Sequence, residues 1–117
     1  MLHVDYASPE SLIAVLHGQD AVVSTLAVLA QEAQKNLIDA AVEAGVKRFL
    51  PSEYGLDSTD LRIERDIKAF AGKIGTRRYL ETKVAQGKID STVLITGLYL
   101  DYCLKTGMIV SMEGRML

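Results

Sequence analysis

Two hydrophobic rhythms alternate along the chain, and their order predicts strand, helix, strand, helix, strand. Ala21 to Leu26, AVVSTL, is a run of small and β-branched residues suited to a buried strand. From about Ala30 to Ala44 the spacing turns helical. Ala33, Leu37, Ala40, Ala41 and Ala44 share one face, while Gln31, Glu32, Lys35, Asp39 and Glu43 fall mostly elsewhere. Val46 to Leu50 is again strand-like. At the front, LHVDY (residues 2 to 6) reads as a short strand, and Ser8-Pro9-Glu10 opens a helix that runs to Leu16 and closes at His17-Gly18. This alternation with short connections argues for right-handed crossovers and an α/β fold with a parallel sheet.

Ala40 to Gly55, AAVEAGVKRFLPSEYG, joins a helix end, a strand and a loop. Gly45 stands where a left-handed C-cap is wanted, because glycine takes positive φ without a Cβ penalty. Pro51 has no N–H for a further ladder bond, so the chain must turn out there. Ser52-Glu53-Tyr54 thus lands at the carboxyl end of a strand, the edge where open parallel sheets bind ligands. Beyond it, Tyr54 to Leu61 reads as a polar loop. Arg62 to Gln86 is the longest helical stretch, with a break expected at Gly72 or Gly75. Ser91 to Thr96 makes a fourth strand released by Gly97, Tyr99 to Lys105 a short helix, and MIVSMEGRML (residues 108 to 117) one more strand.

The chain has 117 residues, 49% of them apolar, which suffices for a single domain with a real core and extends over residues 1 to 117 without linker or repeat. A formal net charge of −2 offers no basic field for nucleic acid or an anionic membrane, so phosphate would have to be bound locally. Cys103 is the one cysteine: it permits no internal disulfide, agrees with a reducing compartment, and is expected as a buried thiol. No apolar run approaches the ~18 residues of a membrane span and no signal pattern opens the chain; the expectation is a cytoplasmic protein. His3 and His17 have no partners at ligand spacing, so no metal site is expected, and no G-x-S-x-G elbow is present.

AGVKRFLPSEYG, preceded by HGQDAVVSTL and followed by a helix and TVLITGLYLDY, resembles the NmrA-like and isoflavone-reductase-like group of atypical short-chain dehydrogenases over nearly the whole chain. The resemblance implies a partial Rossmann-like, NAD(P)-binding domain: a three-layer parallel sheet with helices on both faces. It implies NADP(H) as cofactor and either reduction of a small, often aromatic, molecule or sensing of the nicotinamide pool. The Gly-rich turn that holds the pyrophosphate in such folds is not in this sequence. By the resemblance, then, the chain begins at about the family's third strand and stops before its substrate-binding part. A truncated domain of this kind is expected to be inert where the missing turn is the main anchor, and to self-associate through an exposed sheet edge.

Lys73 is the first candidate for chemistry. On one straight helix of about 3.6 residues per turn, Ile63, Ile67, Phe70 and Ile74 form the buried stripe, and Lys73 lies on its shoulder beside Leu80 and Val84. A lysine half inside a cleft can position or protonate a substrate, the role the resemblance implies for it; a snorkelling surface lysine is the alternative. Arg77 shares its arc. Tyr79 and Lys83 spell the Y-x-x-x-K pair of ordinary short-chain dehydrogenases, but on the same wheel they fall opposite the stripe, on an exposed face. The remaining candidates are strand ends. By resemblance, Asp5 and Tyr6 approach the adenine, Ser24, Thr25 and Leu26 the ribose and pyrophosphate, and Ser52, Glu53, Gly97 and Leu98 the nicotinamide. Each also has a plain structural reading, as a turn residue, a satisfied strand hydroxyl or a capping turn. Tyr54 stands where the family more often has phenylalanine, its hydroxyl either altering the pocket or facing water.

Overall fold

The computed structural model describes residues 1–108, so the expected strand over 108 to 117 lies outside them in all but its first residue. Helix α1 (Pro9–Leu16) is capped as the sequence predicts: the Ser8 hydroxyl accepts the Ser11 N–H at 3.2 Å. Strand β1 (Ala21–Val23), helix α2 (Gln31–Glu43) and strand β2 (Arg48–Leu50) follow. Then come a short helix α3 (Leu61–Asp66), a 3-10 turn over Lys68–Phe70, helix α4 (Ala71–Ala85), strand β3 (Asp90–Ser91) and helix α5 (Leu100–Thr106). The strands form a parallel sheet in the order β1-β2-β3, with Val22 opposite Phe49 and Phe49 opposite Ser91. This is a partial Rossmann-like α/β fold.

The core lies on one face of that sheet. Val22 and Phe49 point into it and meet Leu12 and Leu16 of α1, Leu37, Ile38, Ala40 and Ala41 of α2, and Leu80 of α4. The opposite face carries Val23 and Arg48, both exposed. Small residues on α2 let it lie close on the strands, and Gly45, at φ +80°, turns the chain from α2 into β2 as expected. Cys103 is buried on α5. Among the described residues no helix is long and apolar enough to cross a membrane.

Four expectations are corrected. LHVDY forms no strand: no neighbouring strand among the described residues offers it a ladder, and the Ser8 N–H instead donates to the Asp5 carbonyl in a turn. The expected strands over 21 to 26, 46 to 50 and 91 to 96 are shorter: the Val46 N–H is taken by the Ala41 carbonyl at the end of α2, and the ladders of β1 and β3 with β2 end where Pro51 turns the chain out. Pairing continues beyond them in single bonds, among them Lys47 N–H to the Asp20 carbonyl at 3.0 Å, Asp90 N–H to the Lys47 carbonyl at 2.9 Å, Ser24 N–H to the Leu50 carbonyl at 2.9 Å and Thr92 N–H to the Phe49 carbonyl at 3.2 Å, and in one parallel bridge between Gly55 and Ile95. The long helix breaks at Ile67 (φ −116°, ψ 87°) rather than at Gly72 or Gly75, through both of which α4 runs without interruption. No residue of α3 is buried, so nothing in the core holds it in line with α4, and the stripe through Ile63, Ile67 and Phe70 is not the buried one. Finally, Tyr79 does not sit on an exposed face; it packs against the core beside α2.

Candidate functional site

The carboxyl edge of the sheet is laced together by the loop after β2. Pro51 ends the strand, and the next N–H, of Ser52, donates to Gln34 Oε1 at 2.7 Å while the Ser52 hydroxyl donates to the Leu26 carbonyl at 2.6 Å. These two bonds tie the loop to α2 and to the end of β1. On the other side the Tyr54 N–H donates to the Leu94 carbonyl at 3.1 Å, the Gly97 N–H to the Gly55 carbonyl at 3.0 Å, and the Tyr99 hydroxyl to the Tyr54 carbonyl at 2.7 Å. Ser52, Glu53 and Gly97 thus meet on one edge with Ser24 to Leu26, as their positions at strand ends predict. Tyr54 holds this crossing at φ +41°, a left-handed conformation unfavourable for an aromatic residue.

Lys73 reaches this edge from the first turns of α4. Its Nζ donates to the Glu53 carbonyl at 2.6 Å and stands 3.7 Å from Glu53 Oε2, with the Phe70 ring centroid 5.3 Å away. Its side chain is 11% exposed, which makes it a half-enclosed amine and not a snorkelling one. Gly55 lies directly against it: a Cβ there would sit 3.9 Å from Nζ. The straight-wheel phase that pointed to Lys73 was wrong in its stripe, yet the lysine reaches the Glu53 loop, because α4 starts afresh at Ala71 and buries Ile74 and Leu80.

Glu53 is placed differently from its expected part in holding a cofactor. Its side chain is 1% exposed and turns inward, toward Lys73, Arg77 and Ser58. Burial pushes its carboxyl above the usual value, opposed first by the Lys73 ammonium and then by Ser58 and Arg77. Ser58 faces the carboxylate, yet its hydroxyl, like Glu53 Oε2 and Arg77 Nε, reaches no hydrogen-bond geometry among the described residues. Arg77 donates instead to the Ser58 carbonyl at 3.1 Å and to Glu81.

Asp5 and Tyr6 end no strand. Asp5 closes its own turn, accepting the Ala7 N–H at 2.9 Å, and the Tyr6 carbonyl accepts from Asn36 on α2 at 2.9 Å. The Ser24 hydroxyl is buried without a partner among the described residues, against its plain reading as a satisfied strand hydroxyl, whereas Thr25 and Leu98 are exposed. The Tyr54 hydroxyl does not face water; it too is buried and unpartnered. The Y-x-x-x-K pair is part of a helix–helix contact. The Tyr79 hydroxyl donates to Asp39 on α2, which raises the phenol above its usual value, and Lys83 stands 3.5 Å from the same carboxylate. A phenol whose proton is held by a carboxylate is ill suited to give it up. Concavities beside Gly45, Lys47, Gly87 and Asp90, and between Pro9, Asn36 and Asp39, are lined by none of the residues around Lys73.

Two partners of the site, Gln34 and Ser58, were not legible in advance, and a third, Arg77, was legible only as a neighbour of Lys73. Gln34 interrupts the apolar face of α2, the one sequence signal that it has a polar duty. Arg77 follows Lys73 by four residues and so shares its face. Ser58 left no signal.

The profile of the NmrA-like family matches residues 1–113. The chain belongs to the NmrA-like family. It is 42% identical over 108 residues to an isoflavone reductase homologue, P3, of Arabidopsis thaliana, a match covering 91% of this chain and 34% of that protein. Among solved structures it is similar to AtPrR2 with NADP+ and (+)pinoresinol, with a TM-score of 0.72 and 25% identity over 92% of this chain and 35% of that one. It shares a fold with the Citrobacter sp. triphenylmethane reductase complexed with NADP(H), at a TM-score of 0.62 and 24% identity over 91% of this chain and 36% of that one. This NmrA-like chain therefore spans about a third of the length of the relatives it matches.

Proposed function

We propose that this chain is part of an NADP(H)-dependent oxidoreductase of the isoflavone-reductase-like type, acting on a small, aromatic substrate, with Lys73 as the residue that meets the substrate. One observation carries the reading: an almost enclosed amine at the carboxyl edge of a parallel sheet, with the backbone of Gly55 directly against it. NADPH, when bound, would supply a hydride. Thr25 and Leu26 at the end of β1, and Gly97 and Leu98 after β3, would hold it, with Asp5 and Tyr6 toward the adenine and Ser52 bracing the loop. An orphaned Ser24 hydroxyl and the positive φ of Gly97 (+71°) fit a polar ligand lying close to this backbone. Lys73 would orient a substrate oxygen and hold a proton for it at Nζ. Strand β1, at the edge of the sheet with Val23 60% exposed, supports self-association of the isolated chain through that edge, to be read by light scattering.

Calorimetric titration of NADPH into the folded 117-residue chain tests the cofactor assignment. Saturable micromolar binding supports it; a folded chain that binds none refutes it for this chain. Hydride transfer to aromatic ketones or ethers then tests the substrate class, and cofactor binding without any turnover would point to a sensing module instead.

A further inference from the structure

Glu53 touches Lys73 twice, and the two contacts do different things. The backbone carbonyl takes one of the three ammonium donors at 2.6 Å; the carboxylate, 3.7 Å away, supplies charge without a hydrogen bond of its own. A carboxylate this buried is costly unless cations compensate it, and here they approach from one helix only, Lys73 and Arg77, which share a face of α4. On its own loop Glu53 faces Ser58 and lies next to Tyr54, whose buried hydroxyl is neutral and unpartnered. Arg77 is balanced on its far side by Glu81, so Lys73 is the cation whose only close carboxylate among the described residues is Glu53.

We propose that Glu53 is a positioning residue for Lys73: it holds no ligand with its side chain, but its inward-turned carboxylate fixes the place of the amine and opposes its charge, while Arg77 and Ser58 fix the carboxylate. This rests on the reading of Lys73 as the substrate-facing group. It assigns to the Glu of Pro51-Ser52-Glu53 a duty behind the lysine and leaves Ser52 to brace the loop. The strained Tyr54 lies between the two contacts: its left-handed turn follows Glu53, and Gly55 after it lies against the amine.

Two measurements on the 117-residue chain test it, and neither needs cofactor or substrate. In the first, the δ-carbon of Glu53 is followed by carbon NMR against pH in the wild type and in Lys73→Met. The expected result is titration above the ordinary 4.5 in the wild type, moving further up once the ammonium is gone. An unchanged titration would overturn the proposal. In the second, acetylation of Lys73 is timed by mass spectrometry at fixed pH, with exposed Lys68 as the internal control. Glu53→Gln should speed Lys73 severalfold relative to Lys68, and Glu53→Asp should restore much of the wild-type rate. Equal acceleration of both lysines would mean that the substitution merely loosens the fold, and no acceleration would mean that the carboxylate does not govern the amine; both sink the idea. If one variant fails to fold, the other measurement still decides. Failure of NADPH to bind would refute the cofactor assignment for this chain while leaving both of these results standing.

Discussion

Lys73 Nζ closes a 20-residue span by donating to the Glu53 carbonyl at 2.6 Å, and it does so at the point where the chain leaves the sheet. That bond fastens the head of α4 to the loop after β2. Removing the ammonium strands the Glu53 carboxylate in a dry site, so Lys73→Met should destabilise the chain by about 3 kcal/mol at pH 7. The loss should shrink near pH 4.5, where Glu53 can take up a proton instead. Urea unfolding at the two pH values reads the difference; an equal loss at both would mean that Glu53 is not the group left stranded.

Tyr79 and Asp39 join α4 to α2 through a hydroxyl that is only partly buried. Tyr79→Phe should therefore cost about 1 kcal/mol of stability, the worth of one hydrogen bond to a charged acceptor offset by solvent. NADPH binding should be unchanged. A variant that keeps its stability and loses cofactor binding would return the Y-x-x-x-K pair to candidacy.

Much of the fold was legible because local chemistry and packing agree over most of the chain. The Ser8 cap, the apolar face of α2, the Gly45 turn and the stop at Pro51 each follow from a residue whose physics admits few alternatives, and each appears where expected. What misled was the assumption of a single straight helix. Periodicity reports which residues share a face only while the axis is straight, and it cannot register that α3 has no core to pack on. For the same reason Tyr79 was read as exposed, although its face meets Asp39 across 40 residues of sequence. LHVDY has strand composition, but composition carries no information about whether a neighbouring strand is there to pair with. The positive φ of Tyr54, next to the inward-turned Glu53, is a conformation that a tyrosine does not announce.

Gly72 and Gly75 offer a comparison within α4. Both lie in regular helix, where glycine costs up to ~1 kcal/mol against alanine. A Cβ at position 75 would meet nothing within 4 Å, so Gly75→Ala should stabilise by roughly 0.5 to 1 kcal/mol. At position 72 it would come within 3.0 Å of Gln31 Cγ. That side chain is held by its own bond to the Val28 carbonyl at 2.7 Å, so Gly72→Ala should gain less or lose outright. Thermal unfolding of the two variants side by side reads the order, and a larger gain at 72 would mean that the α2–α4 contact is looser than it stands here.

Burial makes Glu53 hold its proton more tightly folded than unfolded, which gives its contribution to stability a definite sign. Between the ordinary value of 4.5 and its raised folded value the native state binds more protons than the unfolded one, so this residue's contribution falls as pH rises through that window. The exposed carboxylates act the other way. Asp20, Asp57, Asp60 and Asp66 are all lowered from 3.8, Asp60 to about 2 by Arg62, and their contribution is lost only as pH drops below that ordinary value. The two windows do not overlap, so a substitution at Glu53 can be read without interference from the aspartates. Glu53→Gln, which mimics the protonated acid, should match the wild type below pH 4.5 and gain on it as pH rises, with the curves separating only above that point. Chemical denaturation from pH 4 to pH 8 measures the separation; curves that diverge below 4.5 and run parallel above would mean that the Lys73 ammonium outweighs burial and that Glu53 is a carboxylate favoured, not penalised, by its site.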